Sequence, residues 1–390
     1  MRELGRAVAL LTLMAAVLGL SGCSKSGGGP VRSFVEEPCP ERLAEWNLVR
    51  GKVSTLEPNT GVVPYDLNSP LFTDYAEKFR TIWLPAGQAA TYRDAETFDF
   101  PVGTILSKTF MYPKEGAGPR PQGSVGNKDG SRRLLETRLL VRGKKGWVAL
   151  PYVWNEEGTD ATLEVVGASL EVKGMHPSGR TLDIDYAVPN MNQCQGCHER
   201  DKVVTPIGPK ARHLNRDYPY AEGPENQLAR LVRVGYLKGA PEPAAAPRNA
   251  VWDDPDTGSL EQRARAYLDI NCAHCHDRLG PAASSGLYLT ATEEERHALG
   301  LCKAPVAAGR GAGKDLPYDV VPGQPERSIL VYRLDSKDPG VMMPELGRSL
   351  IHEEGVALVR EWVARMDGAC ERRGASGDAL TPRRPSPSTR

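Results

Sequence analysis

The stretch PNMNQCQGCHER, residues 189–200, places a histidine directly after a Cys-x-x-Cys pair, at Cys194, Cys197 and His198. The pattern returns in DINCAHCHDRLG, residues 269–280, at Cys272, Cys275 and His276. Three chemistries use such a pair. A zinc ribbon usually separates its two cysteine pairs by about 15–20 residues, whereas here residues 202–270 intervene with much predicted structure among them. A dithiol redox pair opens a helix in a thioredoxin-like βαβ setting, which neither stretch offers. Neither alternative explains the histidine. Covalent haem attachment accounts for all three residues, since the cysteines form thioethers with the porphyrin and the following imidazole becomes the proximal iron ligand. The sequence therefore predicts two haem c groups, held by Cys194, Cys197 and His198 and by Cys272, Cys275 and His276. His274, inside the second motif, reads as a variable spacer facing solvent.

The start of the chain agrees with this chemistry, because c-type haem is attached outside the cytoplasm. Arg2 and Arg6 precede an apolar run at residues 7–20 that is too short to span a bilayer comfortably, so residues 1–22 read as an export signal. The run ends in Leu20-Ser21-Gly22-Cys23, which resembles a bacterial lipobox with Cys23 as the acylated mature N-terminus. Ser24, where an aspartate would retain the chain, resembles the outer-membrane sorting signal. The expected location is thus an outer membrane, facing the periplasm or cell surface, with residues 23–37 as a flexible tether.

Basic and acidic side chains balance at 49 each, so no net field favours nucleic acid as a partner. Residues 371–390 are rich in Pro, Ser and Arg and poor in apolar side chains, the composition of a disordered tail. Eight cysteines in an oxidising compartment need individual accounts. Cys23 takes the lipid and the two motifs take four. Of Cys39, Cys302 and Cys370 only one pair can bond internally; Cys302 with Cys370 would pin the terminal helix, with Cys39 as the competing partner.

Between residues 38 and 189 the sequence falls into short runs rich in Val, Leu, Thr and aromatics, punctuated by Gly and Pro. FRTIWLP, FDFPVGTILSKTFMYP, RRLLETRLLVRG, KGWVALPYVWN, ATLEVVGASLEV and TLDIDYAVP predict a β-rich domain. What leads into Cys194 reads as a strand. Residues 190–240 form a first haem-binding segment, in which Leu228, Leu231, Val232 and Leu237 fit one helical face. A Pro/Ala-rich linker covers residues 241–258. Ser259 with Gln262 makes a capping box that opens a helix running into the second motif, and Val356, Val359, Trp362, Val363 and Met366 mark a terminal helix. The fold class is α+β, a β-rich domain followed by an α-helical haem-binding region.

Residues 259–370 resemble a class I cytochrome c domain in their order of helix, CxxCH, Gly280-Pro281 loop, helix, Met loop and terminal helix. That resemblance places the distal ligand of the second iron in VMMPELG, with Met343 before Pro344 the better match and Met342 its neighbour. For the first iron the distal ligand stays open among His213, His176, Met111, Met175 and Met191. More widely, VVPYDLNSPLFTDYAEKFR, FPVGTILSKTF, PNMNQCQGCH, TPIGPKARHLN, NCAHCH and VMMPELGR together resemble a family of exported bacterial di-haem c-type cytochromes with a β-rich N-terminal region. The resemblance implies electron transfer between redox protein partners by a membrane-anchored carrier. A peroxidase-like di-haem oxidoreductase with one five-coordinate iron is the alternative, left open by the first iron's unassigned distal ligand; the β-rich region shows no catalytic constellation.

Overall fold

Strict alternation builds the sheet. In RRLLETRLLVRG, Leu139 and Val141 point to one face and Arg138 and Leu140 to the other, as the two-residue repeat of a pleated strand requires. The computed structural model describes residues 29–35, 38–118, 126–312 and 315–370. The expected export signal, Cys23 and the C-terminal tail lie outside the described residues. The chain is α+β, with a mostly antiparallel sheet.

Strands β1 (Val63–Tyr65) and β2 (Glu77–Trp83) come first, followed by the short β3 (Ala90–Thr91). Then come β4 (Ile105–Pro113), β5 (Arg132–Gly143), β6 (Gly146–Trp154) and β7 (Ala161–Leu163). Six of these form one sheet in the order β1-β2-β4-β5-β6-β7. Strands β8 (Ala168–Met175) and β9 (Thr181–Val188) make a separate hairpin. Its Val172, Ile184 and Tyr186 pack on Phe110 and Tyr112 of β4. Each of the six predicted β runs carries a strand. One face of the sheet buries Phe79, Ile105, Leu139 and Leu150 against Leu43 and Trp46 of the N-terminal segment. Trp46 keeps its indole N–H satisfied there by donating to the Tyr152 hydroxyl at 2.8 Å.

Beyond β9 the elements shorten. Helix α1 (Met191–His198) carries the first motif and leads into a tight hairpin of β10 (Glu199–Arg200) and β11 (Val203–Val204). After α2 (Ala211–Leu214), the β12 (Asp217–Tyr220) and β13 (Gly223–Asn226) hairpin leads to α3 (Gln227–Arg233). Leu228 and Leu231 are buried on α3 as expected, but Val232 is exposed and Leu237 lies on β14 (Leu237–Lys238). The helical face predicted there is shorter because Gly235 takes a positive φ of 78° and turns the chain back to pair with β3.

Helix α4 (Leu260–Asn271) starts at Ser259, whose side chain accepts from Gln262 N while the Gln262 side chain accepts from Ser259 N. It ends at the second motif, which lies on the turn after the helix. Helices α5 (Ile329–Leu334) and α6 (Glu353–Ala364) follow. Val356, Val359, Trp362 and Val363 of α6 are buried with Tyr267 and Leu268 of α4. The two helices approach closely at Gly355, where a Cβ would stand 2.5 Å from the Tyr267 ring. Only glycine fits that crossing without displacing the ring.

Residues 66–75, between β1 and β2, behave as a strap joining the sheet to everything after it. Asn68 donates to the carbonyls of Arg212 and Asn249, and Phe72 N donates to Asn271 Oδ1 at 2.8 Å. Asp74 accepts from Ser349 N and Leu350 N at 2.8 and 2.7 Å. These hydrogen bonds, one buried and the others partly buried, tie the sheet region to residues on both sides of the 241–258 segment.

Cys302 and Cys370 form a disulfide across 68 residues, and Cys39 packs elsewhere, on the sheet core. In the chain-entropy model a loop of this size contributes about 4 kcal/mol. Cys302→Ala is expected to shift the urea midpoint accordingly, and an unchanged midpoint would show that the bridge contributes nothing to stability.

Candidate cofactor site

The first motif sits on a helix because Asn190 caps it. The Asn190 side chain accepts from Gln193 N at 2.8 Å and Gln193 Oε1 accepts from Asn190 N at 2.9 Å. The strand reading of the approach holds only as far as Val188, where β9 ends. Asp201 and Lys202 both adopt left-handed backbone (φ 49° and 62°), which closes the β10–β11 hairpin and returns Thr205 to His198. Thr205 N donates to the His198 carbonyl at 2.7 Å, and His198 Nδ1 lies 3.0 Å from the Thr205 carbonyl oxygen. That contact requires the proton on Nδ1 and leaves Nε2 as the lone-pair nitrogen. Burial, assisted by the charge of Lys108, pushes the His198 pKa down to about 3, so the ring is neutral at ordinary pH.

The second motif follows the end of α4, with the amides of Cys275 and His276 both directed at the Cys272 carbonyl. His276 Nδ1 lies 3.4 Å from Ser285 Oγ, and burial again lowers its pKa. None of the four motif cysteines is in a disulfide. Burial raises their pKa values, to about 12 for Cys272 and Cys275.

Although far apart in sequence, the two motifs are docked together. Arg200 pairs with Asp277 at 3.3 Å, Asp201 N donates to the Leu279 carbonyl at 2.8 Å, and Cys275 Sγ lies 3.9 Å from the Gly196 carbonyl. Even so, no three His, Cys, Asp or Glu side chains converge on one point among the described residues, so the four thiols do not form a tetrahedral zinc cluster.

Cys194, Cys197 and His198 open onto a cavity that is partly open to solvent. Leu67, Leu106, Leu140, Ile207 and Ile270 give it apolar walls. Across its sheet face runs a row of cations: Arg80 on β2 stands opposite Lys108 on β4, which stands opposite Arg138 on β5. Like charges directly opposed across strands destabilise a sheet. The outer two are compensated, Arg80 by Asp66 at 2.6 Å and Arg138 by Glu136 at 2.8 Å. Lys108, between them, has no ion-pair partner among the described residues and rests over the Phe110 ring, 5.0 Å from its centroid. Burial and its two arginine neighbours push its pKa down to about 7. An apolar cavity with one uncompensated cation, two thiols and an oriented neutral imidazole suits a flat apolar macrocycle bearing carboxylates.

Met343 also lines this cavity, whereas Cys272, Cys275 and His276 do not. Its loop is shaped by Arg348, a residue to which the sequence alone assigns no role. The buried guanidinium donates to the carbonyls of Arg333, Leu334, Ser336, Met343 and Leu350. The Met343–Pro344 peptide is cis, and Met343 N donates to the Arg333 carbonyl at 3.0 Å.

The five residues considered as distal ligands of the first iron all lie away from the wall of this large cavity. His213 Nε2 is 3.3 Å from Asp269 Oδ2, inside a buried cluster where Arg212 holds the same carboxylate at 2.7 and 2.9 Å. His176 Nδ1 meets Ser178 Oγ at 2.8 Å, and its Nε2 lies 3.3 Å from Glu354. Met111 is fully buried in the sheet core, Met175 is exposed, and Met191 opens α1 and packs against the sheet core. His274, by contrast, departs from its expected place in solvent: it lines the cavity beside Cys197 and His198. The docking of the first motif against the second covers the face that an isolated motif would leave open. Burial pushes the His274 pKa down to about 4.

Comparison with family models, curated proteins and solved structures gives no match for this chain.

Proposed function

We propose that the chain is a di-haem c-type cytochrome that relays single electrons between redox protein partners, exported and anchored to a membrane through Cys23. The docking of two complete CxxCH motifs against one another carries this reading, since a relay needs its two centres close. In this assignment residues 259–370 are a cytochrome c-like unit, with α4 and α6 crossing at Gly355 and the Met loop between α5 and α6.

Cys194 and Cys197 hold the first group and Cys272 and Cys275 the second. A bound haem supplies a reversible one-electron couple at its iron. The chain's own residues do the rest. His198 presents Nε2 because Thr205 occupies Nδ1, and His276 is similarly turned by Ser285. Leu67, Leu106 and Leu140 keep water from the first site, which lowers the reorganisation an electron transfer must drive. Lys108, with Arg80 and Arg138 beside it, receives carboxylates. Met343 is assigned, by resemblance to class I cytochromes, to the iron held by His276, although its loop borders the first cavity; the Arg333 carbonyl holds the Met343 amide.

The test is the intact mass of the exported protein, expected to exceed the polypeptide by two haem groups. Cys197→Ser and Cys275→Ser should each weaken or remove one haem. Retention of two in both variants would sink the proposal.

A further inference from the structure

Three features beside the assigned haem-holding residues stand out: the cation row on the sheet, the Asp269 cluster, and His274. The first two have roles already described, as a carboxylate-facing wall and as an internal tie. His274 has none, and its burial beside the first motif calls for one.

We infer that His274, the spacer of the second motif, is the second axial ligand of the iron held by His198 in the first. This rests on the di-haem reading. His274 lines the same large cavity as Cys194, Cys197 and His198. A smaller adjoining cavity is again lined by both Cys197 and His198 together with His274, so the two imidazoles share two boundaries. The His274 ring is partly buried, its Nδ1 shielded from solvent and the Ile270 backbone at the end of α4 beside it. Ligation through the other nitrogen would fix the ring and leave Nδ1–H to face the end of α4.

The backbone makes this placement durable. The Arg200–Asp277 pair and the hydrogen bond from Asp201 N to the Leu279 carbonyl clamp the second motif against the hairpin that follows His198. His274 lies between two residues committed to the second group, Cys272 and Cys275, so its position cannot drift independently of that motif. The histidines considered from the sequence are engaged elsewhere. His213 borders the smaller cavity but is turned to Asp269, and His176 meets Ser178 and Glu354. Met343 and His352 also line the large cavity; the proposed function gives Met343 to the second iron, and His352 Nδ1 meets the Tyr267 hydroxyl at 3.1 Å. The consequence is that one segment, residues 272–276, serves both centres. The second axial ligand of one is two residues from the proximal ligand of the other.

The experiment is near-infrared magnetic circular dichroism and electron paramagnetic resonance of the oxidised full chain, with haem content fixed by intact mass. The parent is expected to show one bis-imidazole centre and one imidazole–thioether centre. His274→Ala should exchange the bis-imidazole signal for a high-spin centre that added imidazole returns to low spin, with the thioether signal unchanged. His274→Met should show two thioether-ligated centres, and it decides the matter if the alanine variant matures with a single haem. A bis-imidazole signal that persists in either variant, or two thioether centres in the parent, overturns the inference. A parent lacking covalent haem would instead sink the di-haem reading itself, and mass separates that failure from this one.

Discussion

Asp269→Ala is expected to cost about 3–5 kcal/mol of folding stability, because it strands a buried arginine. Asp269 sits near the end of α4, just ahead of Cys272, and its carboxylate is fully buried. Arg212 on α2 grips both oxygens, while His213 and Asn249 share Oδ2. Burial alone would raise the Asp269 pKa, yet Arg212 and His213 prevail and hold it well below the usual carboxylate range. The sign of the pH effect follows. A depressed folded pKa means the stabilisation is complete above the unfolded value of about 4 and is lost only as the pH falls through the folded value. Denaturant unfolding at neutral pH reads the loss directly. Pairing Asp269→Leu with Arg212→Met should recover part of it, since the uncompensated charge is then gone. A single variant within about 1 kcal/mol of the parent would show that the cluster is not a structural tie.

On the proposed di-haem reading, Met343→Ala is expected to act on an iron rather than on the fold. Methionine raises the potential of a c-type centre relative to histidine, so its removal should lower one of two potentials and open that iron to carbon monoxide. The other potential should stay where it was. The loop itself should survive, because Arg348 holds it through backbone carbonyls and not through the thioether. Met343 is only partly buried, so the stability loss should remain below about 2 kcal/mol. Redox titration of parent and variant reads the first effect and carbon monoxide binding the second. If both match the parent, Met343 is not a ligand and Met342 becomes the residue to replace.

The sheet was legible because alternation and Gly/Pro punctuation are local signals, and RRLLETRLLVRG coincides with β5 to the residue. Caps were legible for the same reason, as at Ser259 and Gln262. Local reading failed where partners are distant. Val232 and Leu237 fit a helical repeat, but Gly235 broke it and the pairing with β3 took Leu237. Arg80, Lys108 and Arg138 are ordinary residues taken singly; only the strand register sets them in a row. His274 reads as solvent-facing because nothing within its motif reports that a second motif will cover it. Arg348 and Asp74 both lie in quoted stretches, yet their targets are backbone groups brought near by the fold.

The strap at residues 66–75 bears on the order in which the molecule completes itself. A chain made N-terminus first forms β1, β2 and the strap before any partner of the strap exists. Asn68 waits for Arg212 and Asn249, Phe72 for Asn271, and Asp74 for Ser349 and Leu350. Such distant closures are slow, because each carries the entropy of a long loop. The cavity wall formed by Met343 and Arg348 is among the last pieces to arrive. Until it does, the cavity beside Cys194 and Cys197 lacks the wall that Met343 and Arg348 supply, and the bonds from Asp74 to Ser349 and Leu350 fix that wall only once residue 350 has been made.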